Sequence, residues 1–598
     1  MSLSESWRNA TVPFRWISVW FATSLASGVL WAITTNSFTI TRVAPNAFFY
    51  IRSLPWLFWV GIACAVVALI VVVGRLIEAT ESVKLLPSML LILYAFGTQR
   101  FVYENPLIMD AYFFAANAQA VSNLGSFSTP NLVYPNEYPG SYVLAVQFVR
   151  VTGIDVVSFI KLYPLFASSL FFLLVYVFAR RFVPRYAFLA PASTVGVLWF
   201  QMHASPQSLD LIEYAVLLIL IAKSVQPGRH RSRVWLGLFL VVVLVMVASH
   251  PTTPPILIAN MLAILIAYQL SRRAGRIPRA VTISVLVITA ILWAAWLGAQ
   301  PSASASFGKE VDLILGTVSS FNLTPALGGH PQGAYFVALI VQAVTVGFVF
   351  ASGLLVLILL RRSEIVDRPE APMLGGTMLL AVALSPAIVF VESTYSLRPY
   401  LFALIPWGAL VAMFFSLRKF SHLRWPRIGK AVKLFLILGI VFSIAAAPIT
   451  RDAIDSYMYI PTADLTSANF ANNRLSGTIL IMSLWGREYV LSKSLQGGTS
   501  LFGVMENDRV FKLDGGSILG QNVMDLNYTH IAQYHAIIFS DNTYNVFVVR
   551  DGSGSTAFIT AGANVESTTS DHFNLVFSTA TSRIYVTPPT HPTVLAVA

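Results

Sequence analysis

Three carboxylates, Glu104, Asp110 and Glu137, stand among aromatics in the polar stretch from Arg100 to about Ser158, in a chain where only 11% of residues are charged. Ionisable groups beside long apolar runs are costly to place, so function is the first expectation for them. Asp110 lies in PLIMDAYFF, with Tyr112, Phe113 and Phe114 next to it. A carboxylate partly desolvated by such neighbours is suited to act as general base on an acceptor hydroxyl. The plainer reading is an Asp that caps a helix over Ala111–Ala120, and the two roles are compatible. Glu104 would share the proton work or bind a cation with Asp110, or be a solvated loop acid. Glu137 and Tyr138 are expected to contact substrate.

Four further groups have types that suit the same chemistry. Asp210 and Glu213, in HASPQSLDLIEY, are three residues apart and so share one helical face. They would ligate a metal or orient substrate, or else compensate a helix dipole in a first turn. His250, in SHPTTPP, occupies a tight turn between apolar runs. It can donate to a phosphate oxygen or sugar hydroxyl, or be a satisfied interfacial imidazole. Arg398, in YSLRPY, is the basic residue of its segment, and a guanidinium binds phosphate with two parallel hydrogen bonds. Lys161 would do similar work, or reach headgroups along its aliphatic stem.

The elements that must position these groups are hydrophobic helices. The 598 residues are 56% hydrophobic, with mean hydropathy +0.70, which places the chain among polytopic α-helical membrane proteins. Apolar runs able to cross a hydrocarbon core of about 30 Å recur along it. They fall at about 14–35, 56–74, 85–99, 157–179, 187–203, 207–225, 234–249, 251–271, 280–299, 334–361, 373–391, 399–417 and 430–449, thirteen spans in all. Short basic loops stay cytoplasmic. With the N-terminus inside, 24 Lys and Arg residues fall inside and 7 outside before residue 450. This bias puts the N-terminus in and the C-terminus out. It also makes Tyr142–Val151, too short to span, an interfacial helix on the outer surface. The net charge of +12 follows largely from the cytoplasmic loops and argues for no nucleic-acid partner.

Residues 1–450 read as the membrane module. After about Arg451 the composition turns to Ser, Thr, Asn, Asp and Gly, with β-prone runs at Thr478–Leu484, His535–Phe539, Tyr544–Val549 and Asn574–Phe577. Residues 451–598 are therefore expected to form a β-rich or α/β extracytoplasmic domain. The loop at about 300–333, rich in small residues and containing Glu310, reads as a mobile lid. The single cysteine, Cys64, excludes an internal disulfide framework. The first apolar run lacks a convincing cleavage site and reads as a retained helix. Asn322-Leu-Thr and Asn527-Tyr-Thr are sequons on the expected outer side. No Walker A, HExxH, CxxC or strand-borne GxGxxG is present. An outward site without nucleotide must use something already in the membrane, such as a lipid-linked substrate.

A conjunction of motifs carries a family resemblance. A first long outer loop bears Glu104 and Asp110, followed by YPGSYVLAVQF and a span ending FLLVYVFARRF; a late span reads LRPYLFALIPWGAL. This resembles the GT-C superfamily of membrane glycosyltransferases, across the whole membrane module. Thirteen spans followed by an outer domain are similar to oligosaccharyltransferase catalytic subunits. The resemblance implies a polyprenyl-phosphate or polyprenyl-diphosphate sugar donor and a glycan or protein acceptor. Asp110 then matches the catalytic acid of the first loop, and Asp210 falls where second-loop metal ligands lie. Glu310 would be the mobile glutamate of the loop between the ninth and tenth spans. Arg398 would contact the donor phosphate, with His250 and Lys161 beside it. A divalent cation, Mg or Mn, would have Asp110 and Asp210 as ligands. The chain departs from the oligosaccharyltransferases in lacking WWDYG, its nearest string being SLWGREY from Ser483. Asp110 is also outside any strict Asp-x-Asp. An inverting enzyme moving a single sugar on the outer face is the expectation. The rivals are an oligosaccharyltransferase-like enzyme acting on protein, a lipid-linked sugar flippase, and a non-catalytic assembly protein.

Overall fold

A computed structural model describes residues 14–41, 49–126, 133–198, 202–224, 232–251, 253–270, 276–305, 307–308, 334–360, 371–390, 398–417, 426–448, 459–474, 479–482, 510–512, 536–540, 566, 569–570, 574–579 and 582–586. The helices of the first third are α1 (Phe14–Ser37), α2 (Phe49–Ser53), α3 (Trp56–Arg75), α4 (Glu81–Ile92), α5 (Thr98–Val102), α6 (Met109–Leu124), α7 (Val133–Glu137) and α8 (Gly140–Thr152). They continue with α9 (Val156–Arg180), α10 (Leu189–Val195), α11 (Pro206–Ser224), α12 (Ser232–Ser249), α13 (Thr253–Leu270) and α14 (Arg276–Ala299). The last are α15 (Ala334–Leu360), α16 (Ala371–Phe390), α17 (Arg398–Ser416), α18 (Pro426–Ala447) and α19 (Thr462–Arg474).

The surface of this bundle is apolar and its seams are small and polar. On α1, Phe21, Leu25 and Val29 are exposed while Ser24, Ser27 and Thr34 are buried. That arrangement suits helices packed in lipid, where small side chains let backbones approach. Among the described residues eight helices are long and apolar enough to cross a membrane, against thirteen spans expected. Gly237–Ser249 and Tyr400–Ser416 are apolar but shorter. The chain is a polytopic helical membrane protein.

The expected span at 187–203 departs most from a regular helix. Tyr163 and Ser208, each near the first residues of its helix, lie 3.0 Å apart. Helices α9 and α11 therefore run parallel, and residues 181–205 must travel the length of the bundle between them. They do so with a 3₁₀ turn at Pro184–Tyr186, the seven-residue α10 and a further turn. Residues 187–198 are all buried, so this irregular backbone is shielded from lipid as it must be. Gly196 permits the closest contact: a Cβ there would sit 2.4 Å from the Ile444 nitrogen of α18.

Helix pairings place Glu104, Asp110, Glu137 and Asp210 at the same end of the bundle. Tyr94 donates to the Ser27 carbonyl, and Ile40 bridges Tyr103 beyond the C-termini of α1 and α5. The short helices α6, α7 and α8 belong to this end, called here the cleft end. The expected interfacial helix at 142–151 is α8, whose Leu144, Phe148 and Val151 are exposed. The opposite end is closed by Glu81, which accepts from Lys84 (2.7 Å) and Tyr176 (2.6 Å), and by the Glu78–Arg185 ion pair.

Past the last helix of the bundle, Tyr459 packs back on Tyr103, and α19 leads into a five-stranded mixed sheet. Its strands are β1 (Ile479–Met482), β2 (Val510–Lys512), β3 (Ala536–Ser540), β4 (Asn574–Ser578) and β5 (Ser582–Val586), in the order β2-β1-β3-β5-β4. β1 is parallel to β2 and β3, and β5 is antiparallel to β3 and β4. Parallel neighbours require crossover connections, so the region is α/β. The expected strand at Tyr544–Val549 lies outside the described residues.

Candidate functional site

The helix that opens at Glu81 is interrupted at Leu93–Gly97 by a π turn, which adds a residue to one turn and rotates everything after it. Trp31 Nε1 donates to Thr98 Oγ1 (3.1 Å), fixing the start of α5 against α1. The rotation brings Phe96, Gln99 and Arg100 to one wall of a cleft of about 380 Å³, its open mouth included. Asn105 to Ile108 and Ala111 form a second wall; Ile160, Lys161, Pro164 and His203 complete it.

The cleft is cationic. Lys161 stands in the second turn of α9, whose start is fixed by Asp155: its Oδ1 accepts from the amides of Val157 (3.0 Å) and Ser158 (2.9 Å). The Lys161 ammonium donates to the Glu104 carbonyl (2.6 Å), which leaves two of its three hydrogens for a ligand. The Arg100 Nε is buried without a hydrogen-bond partner among the described residues. Pro164 cannot donate to the Ile160 carbonyl, so the helix bond at this wall is missing. The Arg100 guanidinium lies 5.6 Å from the centroid of the exposed Phe101 ring, so an apolar side chain borders this cation.

Asp110 does not line this cleft, although residues on either side of it do. It is exposed, in the first turn of α6, between the lining residues Ile108 and Ala111. Ile108, not Asp110, is the residue that precedes the helix, so Asp110 is a first-turn acid rather than the expected cap. Glu104 is also exposed, with its carbonyl committed to Lys161.

A second polar group is buried between α11 and α13. Asp210 is fully buried; its Oδ2 accepts from Thr253 Oγ1, and His250 Nδ1 is 3.6 Å away. Glu213 is buried on the same face, and neither of its oxygens has a hydrogen-bond donor among the described residues. Two turns deeper, Asn260 donates to the Tyr214 hydroxyl. The two groups meet through α9, since Tyr163 touches Ser208, whose hydroxyl donates to the His203 carbonyl (2.7 Å). Glu137 and Tyr138 are buried beside α14, where the Glu137 carbonyl accepts from Trp296 Nε1 (3.2 Å). Gly140 then lies against Ser249, one residue before His250; a Cβ would be 2.5 Å from its hydroxyl.

Arg398 opens α17, but its side chain, like all of Glu310, lies outside the described residues. Among the described residues no three His, Cys, Asp or Glu side chains converge to hold a metal ion. Asp210 is held by Thr253, and the cleft beside Asp110 is lined by neither acid. The sequence reading did not assign Arg100 or His203 a role. Its one available signal for Arg100 was a lone cation at the end of an apolar run.

No family model and no curated protein matches this sequence. Solved structures with a similar fold include the following three. One is the Archaeoglobus fulgidus oligosaccharyltransferase tethered to an acceptor peptide with the NVT sequon (10% identity, TM-score 0.47, covering 79% of this chain and 71% of that one). Another is the archaeal oligosaccharyltransferase AglB from Archaeoglobus fulgidus with an inhibitory peptide and a dolichol-phosphate (11%, 0.47, 79% and 71%). The third is ArnT from Cupriavidus metallidurans bound to undecaprenyl phosphate (12%, 0.46, 84% and 97%).

Proposed function

We propose that this chain is an inverting membrane glycosyltransferase that moves a sugar from a polyprenyl-phosphate donor to an acceptor hydroxyl on the outer face of the membrane. The observation that carries this reading is the cleft lined by both Arg100 and Lys161, next to the first turn of α6 that bears Asp110. A phosphate on an isoprenoid tail has the two properties that such a site recognises, an anionic head and an apolar stem. The charge bias of 24 to 7 supports the outward orientation of the cleft end.

In the reaction, Asp110 takes the proton of the acceptor hydroxyl as that oxygen attacks the anomeric carbon. The bond between this carbon and the donor phosphate oxygen breaks, and the lipid phosphate leaves with the electron pair. Charge grows on the phosphate as the bond breaks, so donors already aimed at it lower the barrier. Arg100 and Lys161 fill that role here. Lys161 is assigned to the phosphate, whereas His250, which faces Asp210, is assigned to the buried group.

The test is transfer in vesicles holding the full chain, supplied with radiolabelled polyprenyl-phosphate hexoses. Asp110→Asn is expected to lower donor-dependent transfer about a hundredfold to ten-thousandfold, the range for loss of a general base. Transfer at the wild-type rate by this variant would sink the assignment.

A further inference from the structure

We infer that Asn105 is a positioning residue of the phosphate cleft, and that the segment opening α19 is the part of the chain that holds it there. The inference rests on the phosphate reading of the cleft. Asn105 lines the cleft, yet its side-chain amide points away toward the C-terminal segment, donating to the Ile460 carbonyl (3.1 Å) and to Thr462 Oγ1 (2.9 Å). Both amide hydrogens are thereby engaged, which fixes the side chain and the backbone that carries it.

The neighbouring residue closes the link. The carbonyl of Glu104 takes the hydrogen bond of the Lys161 ammonium, so the peptide between Glu104 and Asn105 sits between the cation and the C-terminal segment. Moving one end moves the other. Aromatic packing of Tyr459 on Tyr103, with ring centroids 5.2 Å apart, clamps the same loop from its other side. Beyond Thr462 the path stays polar, since buried Asp464 accepts from Ser582 of β5. The sheet region is thus mechanically joined to the wall that presents Lys161. A phosphate arriving in the cleft meets an ammonium already held by the Glu104 carbonyl, with two hydrogens left to donate, and the geometry it meets is set partly from outside the bundle.

The experiment measures binding of farnesyl phosphate to the full chain in lipid nanodiscs. Thr462 does not line the cleft, so Thr462→Val removes only the acceptor for Asn105. It is expected to raise Kd about threefold to tenfold, the range for one neutral hydrogen bond. Thr462→Ser restores wild-type binding. Asn105→Ala with Thr462→Val binds no more weakly than Asn105→Ala alone, because both cut the same connection. Thr466→Val, on the same helix but away from Asn105, leaves Kd unchanged. Wild-type binding by Thr462→Val, multiplying effects in the double variant, or equal weakening by Thr466→Val would overturn the inference. Wild-type protein that binds no farnesyl phosphate, or binds it equally without Arg100 and Lys161, would remove the phosphate reading and this inference with it.

Discussion

The two polar groups at the cleft end are built oppositely. Around Arg100 and Lys161 the charges are positive, partly open, and bonded to one carbonyl or to nothing described. Around Asp210 the acidic groups are buried, with Thr253 and His250 packed on the Asp210 carboxyl. A buried ion without nearby compensation costs more than its interactions return. Access and unused hydrogen-bonding capacity, more than the presence of charge, separate a site for a ligand from a seam between helices. The Asp210 group reads as such a seam, joining α11 to α13 below the turn at His250.

That contrast can be broken by experiment. The largest effect is expected at the cleft: Arg100→Ala or Lys161→Ala should weaken farnesyl phosphate binding about tenfold to a hundredfold, as for loss of a hydrogen bond to a charged group. Titration at rising salt checks it, since the affinity should fall as the exposed mouth is screened. Unchanged binding in both variants would erase the distinction between the groups. Next, Thr253→Val strips Asp210 of its hydroxyl donor and is expected to cost about 1–3 kcal/mol of stability. Thermal unfolding in detergent reads this, while phosphate binding stays at the wild-type level. A ligand-binding loss without a stability loss would turn the seam into a site.

The smallest effect concerns α9, which carries Lys161 to the cleft and Tyr163 to the buried group. Asp155→Ala removes its cap and should lower stability by about 1 kcal/mol. Burial raises the Asp155 carboxyl, but the hydrogen bonds from Ser158 and Val157 together outweigh it and leave it below the ordinary carboxylate range. Its contribution is therefore present above the unfolded pKa and fades as pH falls through the lower folded value. In Asp155→Ala that acid-side loss should be absent from the unfolding curve, and an unaltered pH profile would show that the cap contributes nothing.

Much of this was readable in the residues because the hydrophobic runs are long. The helices at 56–75, 156–180 and 334–360 lie within two residues of the expected spans, and the short run expected at 142–151 is helical as α8. Strands β1, β3 and β4 fell within a residue or so of their expected runs, but β2 and β5 were not anticipated. Val510–Lys512 is too short to show alternation, and β5 acquires its apolar face only beneath α19. At 187–203 composition was a poor guide, because buried irregular backbone and a lipid-facing helix are equally apolar. Arg100 escaped notice for a different reason. Its face is decided by the π turn at Leu93–Gly97, and no periodicity argument carries an extra residue across an apolar run.

The close seat of Gly196 on Ser443 and Ile444 has a consequence for how the protein is made. Its partner is translated roughly 250 residues later, a delay of roughly 12 to 50 s at ordinary synthesis rates. During that interval the stretch around α10 is already out of the ribosome while the helix that will seal it does not yet exist. Until then Gly196 lacks the backbone it packs against, and α18 fills that seat after α17, the main neighbour of α10, has been made.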